Sequence, residues 1–326
     1  MLTTSTESRS FPQSRREEVV DPSSQCSHPF DLAGRMVLLA TDGSPSAVAA
    51  ARVAYALAEK YHAVIHVVSV VDMRSTPLPP PLYVAFEIGD AVAASTMHRE
   101  QEGSVRAELA GAIGATIDWP VHVMLGTPAA SIVQEANHLD AALVLVGLRQ
   151  HSRLERAVHD ETALNVMRSA SCPVLGVVAA MSDLPARILA AIDFGEGSAH
   201  AARAASAMAG EGATLVLAYV QPMSGFLLDE GEARIHDLGV VGGFAKLRQE
   251  FEGQDARIDH VLLHHDPSQT TAQALLECAG EIGSDLIAAG SLLHSRLDRW
   301  MVGSVSEELV RDARRSVLIV PPRRRS

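Results

Sequence analysis

The chain has 326 residues, enough for two ordinary domains that each bury a core without disulfides or metals. Its formal charge of -12 excludes a general nucleic-acid binder, which needs a basic surface to displace counterions from phosphates. Hydrophobic residues make up 47% and aromatics only 4%, so the core is built from Ala, Val, Leu and Ile, as suits helices packed on a buried parallel sheet rather than an all-β fold.

The first thirty residues are rich in Ser, Arg, Glu and Pro and carry no apolar stretch of signal-peptide type, so residues 1–32 are expected to be a disordered extension. No run reaches the roughly 18 apolar residues of a spanning helix, and no membrane partner is expected. Cys26, Cys172 and Cys278 lie far apart with no CxxC spacing, which fits a reducing cytoplasm.

A first domain is expected over 33–180. Met36 to Ala40 is a short buried strand, and Ser44-Pro45 supplies a cap and first turn for the helix that follows. Val64 to Val71 is a β-branched strand, and Pro77 to Pro81 is an extended loop that serves either as a lid or as a passive crossover. A helix then ends near Gly111 to Gly114. Val121 to Leu125 is a third strand, Thr127-Pro128 starts a helix, Ala141 to Gly147 is a fourth strand, and Pro173 to Val178 closes the unit.

The series restarts at Arg187 and gives a second domain over 185–321. His294-Ser295-Arg296-Leu297 repeats His151-Ser152-Arg153-Leu154, and Ser316-Val317-Leu318 repeats Pro173-Val174-Leu175, both at an offset of 143 positions. Asp266-Pro267 repeats the helix start at Thr127-Pro128. Four extra residues between that proline and Gly290 predict about one additional helical turn, which keeps the apolar face in register.

In an open parallel sheet, ligands bind beyond the carboxyl ends of the strands, where strand order reverses. Asp193 and Gly290 end two such strands in the second copy. Ser304 with Glu307 forms a capping-box pattern just after Gly303, and free amides at that helix start would suit phosphate oxygens. Asp193 either accepts a hydrogen bond from a ribose or adenine group or caps the turn. Adjacent His264 and His265 point to opposite faces and predict no metal site with Asp266, Asp193-Phe194-Gly195 lacks every other kinase element, and no nucleophile elbow is present, so no catalytic residue is assigned.

On these residues the chain resembles tandem universal stress proteins. ATP-binding members of that family carry a glycine, two residues, a second glycine, nine residues and then Gly-Ser or Gly-Thr; Gly290, Gly303 and Ser304 fall at this spacing, with Leu293 at the second glycine. Asp42, Asp193 and Pro173-Val174-Leu175 extend the likeness over nearly the whole chain after the extension.

The resemblance implies two tandem doubly wound α/β domains, each with a five-stranded parallel sheet of Rossmann-like, adenine nucleotide alpha hydrolase-like type. It also implies an adenine nucleotide, ATP with magnesium, in the second domain only, held by Asp193, Val220, Ala289, Gly290, Gly303, Ser304 and Val305. The first site is degenerate: Asp42 and Gly147 are kept, Gln150 replaces the second glycine, and Asp160-Glu161 set two carboxylates where phosphate would sit. The expected protein is a stress-associated regulatory or ligand-binding homodimer that self-associates through the last strands. A scaffold with vestigial crevices, or a slow ATPase needing a base the sequence does not nominate, stand as alternatives.

Overall fold

A computed structural model describes residues 30–72, 91–149, 161–221, 230–252, 256–264, 266, 268–293, 300–301, 303–312 and 314–322. The first repeat runs β1 (Met36–Thr41), α1 (Pro45–Tyr61), β2 (Val64–Val71), α2 (Ala91–Ile113), β3 (Val121–Leu125), α3 (Pro128–His138), β4 (Leu143–Gly147), α4 (Glu161–Ser169) and β5 (Val174–Val177). The second runs β6 (Arg187–Ala191), α5 (Glu196–Ala207), β7 (Thr214–Gln221), α6 (Glu230–Glu250), β8 (Arg257–His264), α7 (Thr271–Glu281) and β9 (Leu286–Gly290). It continues through a small hairpin, β10 (Leu292–Leu293) and β11 (Trp300–Met301), to α8 (Ser304–Asp312) and β12 (Ser316–Val320). The proline loop at 77–81 lies outside the described residues. Leu32 is buried in the core and Phe30 packs on it, so the packed chain begins within the last residues assigned to the extension.

Helices cover both faces of the sheet, so central strands are apolar on both sides, as Val37, Leu38 and Leu39 in β1 and Leu286, Ile287 and Ala288 in β9 show by their complete burial. The helices nearest the middle are rich in alanine: α1 buries Ala49, Ala50, Ala51 and Ala54, and α5 buries Ala201, Ala202, Ala204 and Ala205. Side chains this small let a helix lie close to the sheet, which is how a core with few aromatics is filled. The Ser44 hydroxyl accepts from the Ala47 amide at 3.3 Å and Pro45 opens α1, as the sequence predicts.

Strand order is β3-β2-β1-β4-β5 in the first repeat and β12-β9-β6-β7-β8 in the second, parallel within each. The reversal of order falls between β1 and β4, and between β6 and β9. One ten-stranded sheet results, because β5 and β12 pair antiparallel with Leu175 opposite Leu318. The Ser316 hydroxyl accepts from the Val178 amide at 3.2 Å, Arg168 bridges to Glu307 at 2.7 Å, and the Lys60 ammonium donates to the Ala209 carbonyl, all across the two repeats. This corrects the expectation of self-association between chains through the last strands. Both strands are hydrogen-bonded on both sides within one chain, and the sheet edges are β3 and β8.

The extra helical turn in the second repeat is also corrected. Helices α3 and α7 are both 11 residues long. Helix α7 starts four residues after Asp266-Pro267, where Thr270 caps it through a reciprocal box with Gln273, while Asp266 Oδ1 accepts from the Ser268 amide and hydroxyl in a turn of its own. The insertion therefore lengthens the loop. Among the described residues, no helix is long and apolar enough to cross a membrane.

Candidate functional site

The second crevice opens at the carboxyl ends of β6 and β9. Asp193 follows β6 and is exposed. Its Oδ1 accepts from the Gly195 amide at 2.8 Å and the Ser198 hydroxyl at 2.6 Å, which folds the chain into α5. Both bonds use Oδ1, so the turn does not require the second carboxylate oxygen.

Gly290 ends β9. A Cβ there would lie 2.8 Å from the carbonyl carbon and oxygen of Gly197, so glycine is required by the backbone of α5 crossing the strand end. Gly147 is equivalent in the first repeat: its Cβ would meet the Ala47 amide nitrogen at 2.8 Å and the Ser46 carbonyl carbon at 3.0 Å. Close helix–strand packing accounts for both glycines in either repeat.

The start of α8 is tied to the same place. The Ser306 hydroxyl donates to the Gly290 carbonyl at 3.1 Å, and the Ser291 amide donates to Val320 at 2.9 Å. Gly303 and Ser304 thus stand beside the end of β9, and the first amides of α8 have no partners within the helix. The expected capping box is not formed. The Glu307 amide donates to the Gly303 carbonyl at 2.9 Å, which makes Gly303 the cap and Ser304 the first helical residue, and the Glu307 carboxylate turns to Arg168 and Arg311 at 2.7 and 2.8 Å. The seat therefore begins with a residue lacking a side chain, followed by an exposed serine.

Ala289 is buried behind Gly290, Val220 is half-buried near the end of β7, and Val305 is half-buried against the core. Leu293 lies in β10, whose register with β11 pairs it with Trp300, so its backbone is extended and not left-handed. That hairpin has no signature in the spacing of glycines.

Sequence reasoning missed the aromatic wall beside Asp193. Phe194 holds φ at +61°, a conformation that costs a non-glycine residue on the order of 1 kcal/mol. Its ring offsets this by packing 4.9 Å from Tyr219 and 5.1 Å from Phe244, centroid to centroid. Burial and then the charge of Asp193 push the Tyr219 phenol upward.

The first crevice carries a different set of contacts. Arg149, just beyond β4, reaches Asp42 Oδ2 at 2.7 Å, and the Ser44 amide donates to Oδ1 at 3.0 Å. Burial raises the Asp42 carboxyl, but the Ser44 bonds and then the Arg149 guanidinium outweigh it and hold the group below the ordinary carboxylate range. The Glu108 carboxylate leans over the turn, since a Cβ on Gly43, at φ +73°, would lie 2.9 Å from its Oε1. Helix α4 begins at Glu161; Asp160 and Gln150 lie outside the described residues.

Other candidates carry little chemistry. His264 Nδ1 lies 3.2 Å from the Gln221 amide oxygen, and His265 lies outside the described residues. Burial pushes the Cys172 thiol up to about 12 and raises that of Cys278, so neither is a thiolate at neutral pH.

The sequence profile of the universal stress protein family matches residues 35–177 and again 186–321. Among solved structures, a universal stress protein from Archaeoglobus fulgidus is 18% identical, with 90% of this chain and 98% of that one covered at a TM-score of 0.57. A functionally unknown protein from Pseudomonas aeruginosa is 16% identical, with 89% and 94% covered and a TM-score of 0.56. At these identities the likeness concerns the fold alone. No curated protein sequence matches the chain.

Proposed function

Given that the chain belongs to the universal stress protein family, we propose that it is a regulatory ligand-binding protein whose second repeat takes an adenine nucleotide, ATP with magnesium, while the first repeat serves as a scaffold. The observation that carries this reading is the Ser306–Gly290 hydrogen bond, which ties the start of α8, capped by a residue without a side chain, to the strand end beside the reversal of order. The phosphates would lie over the amides following Gly303, and the carboxylate oxygen that Asp193 does not use in its turn would receive a ribose or adenine donor. Val220, Ala289 and Val305 supply the apolar floor and Phe194 a flat wall.

The first repeat offers acidic groups and an ion pair where the second offers bare backbone. An anionic ligand there would meet Glu108 and would have to break the Asp42–Arg149 pair. The protein supplies binding and orientation only, and no residue is assigned to activate water.

Calorimetric titration of ATP into the wild type, Gly303→Asp and Asp160→Gly tests the reading. Heat at one equivalent in the wild type and in Asp160→Gly, with at least a tenfold loss of affinity in Gly303→Asp, is expected. No heat in any of the three supports the scaffold, in which the crevices are vestigial, and ADP release above the buffer rate supports an ATPase.

A further inference from the structure

Away from both crevices, near the amino ends of the outer strands of the first repeat, three ligand-type side chains converge. His66 stands on β2, His122 on β3 and Glu135 on the last turn of α3, and one donor atom from each lies within 4.8 Å of the other two. His122 Nδ1 lies 2.7 Å from Glu135 Oε1, and the His66 and His122 rings meet edge to face at 4.4 Å between centroids.

Two observations separate this cluster from an ordinary ion pair. First, His66 is 8% exposed and its Nε2 is buried with no hydrogen-bond partner among the described residues. An orphaned buried polar atom costs about 1–3 kcal/mol, which a bound cation would relieve. Second, the duplicate provides an internal control. Sheet register and helix ends align His66, His122 and Glu135 with Val216, Val261 and Cys278. The same fold therefore packs these positions with two valines and a cysteine, and the polar trio of the first repeat answers no requirement of the scaffold.

We propose that His66, His122 and Glu135 form a binding site for a divalent transition-metal ion of the zinc class. Two imidazole nitrogens and one carboxylate oxygen make a borderline donor set that suits Zn²⁺ better than Ca²⁺ or Mg²⁺, which prefer oxygen alone. Tetrahedral bonds of about 2.0–2.2 Å require donors about 3.3–3.6 Å apart. The His122–Glu135 pair opens slightly and His66 closes to reach this, and the half-exposed His122 side chain has room to move.

His138 lies one helical turn beyond Glu135, at the end of α3. Such an ion would pin the edge strand β3 and the end of α3 to β2. The site lies at the opposite end of the strands from the crevices and is independent of any nucleotide.

The test is titration of Zn²⁺ into chelator-stripped full-length protein, read by calorimetry and by visible absorption of the Co²⁺ derivative, for the wild type, His66→Val, His122→Val and Glu135→Gln. Valine is the residue the duplicate carries at the first two positions, and His122 is exposed, so that variant keeps its fold even if His66→Val does not. One equivalent binding at micromolar or lower Zn²⁺ is expected, with at least tenfold weaker affinity in each variant, loss of the tetrahedral Co²⁺ spectrum, and no change in Gly303→Asp. Absence of binding at ten micromolar Zn²⁺, or stoichiometric binding unaltered in His122→Val and Glu135→Gln, overturns the proposal.

Discussion

The two repeats use one scaffold and treat its crevice in opposite ways. In the first, the turn after β1 keeps Gly43, with Glu108 leaning over it and Arg149 fastened to Asp42, so charged side chains of the chain itself gather at that turn. In the second, Phe194 takes the left-handed position of that turn and folds inward onto Tyr219 and Phe244, and the sequence has Leu292 at the position that Arg149 occupies in the first. A duplicated fold thus keeps the glycines demanded by backbone packing in both copies, while the residues that decide what enters diverge.

Breaking the shared part should have the largest effect. Gly147→Ala and Gly290→Ala each drive a Cβ into helix backbone at 2.8 Å, which cannot swing aside, and each should destabilise the protein by about 2–3 kcal/mol in urea unfolding. Similar costs in the two repeats are expected. A near-neutral Gly147→Ala would mean that the first glycine is not held by packing.

The divergent turn gives a smaller effect with a change of sign. Gly243 lies inside α6, and a Cβ there would sit 2.6 Å from the Phe194 ring. Alanine gains about 1 kcal/mol of helix propensity, but the clash is larger, so Gly243→Ala should cost about 1 kcal/mol net in the wild type. With Phe194→Gly the clash vanishes and the same change should stabilise by up to about 1 kcal/mol. Equal costs in both backgrounds would refute the coupling.

The smallest effect belongs to the tie between the repeats. The hydrogen bond from Arg168 lowers the Glu307 carboxyl against a smaller opposing effect of burial, and the charges of Arg168 and Arg311 add to it. A depressed carboxylate contributes stability above its unfolded value, near 4.3, and loses it as pH falls through the folded value. Glu307→Gln should therefore cost about 0.5–1 kcal/mol at pH 7 and nothing measurable once the carboxylate of the wild type is protonated, as thermal melts across pH would report.

The repeat, the strand–helix alternation and the sites of Asp193, Gly290 and Gly303 were legible because local rules govern them: apolar runs bounded by turn residues, a proline at a helix start, anchors at a fixed offset. The errors came where two signals competed. Asp266-Pro267 looked like a helix start, yet the reciprocal box at Thr270 and Gln273 satisfies two backbone amides and wins the position. Ser304 and Glu307 had capping-box spacing, yet Glu307 finds two arginines, one of them on the other repeat.

Length, composition and periodicity by themselves determined two α/β units with a crevice at each reversal of strand order, since hydrophobic burial and backbone hydrogen bonding leave such a chain few alternatives. Only the tertiary structure decided that the last strands consume each other within one chain, that Arg149 pairs with Asp42 at the first crevice, that Phe194 packs on Tyr219 beside the second, and that His66, His122 and Glu135 meet. Each of these depends on which residues adjacent strands and helices bring face to face, across 13 to 143 positions of sequence in the cases of His122–Glu135 and Leu318–Leu175, and no local pattern encodes that register.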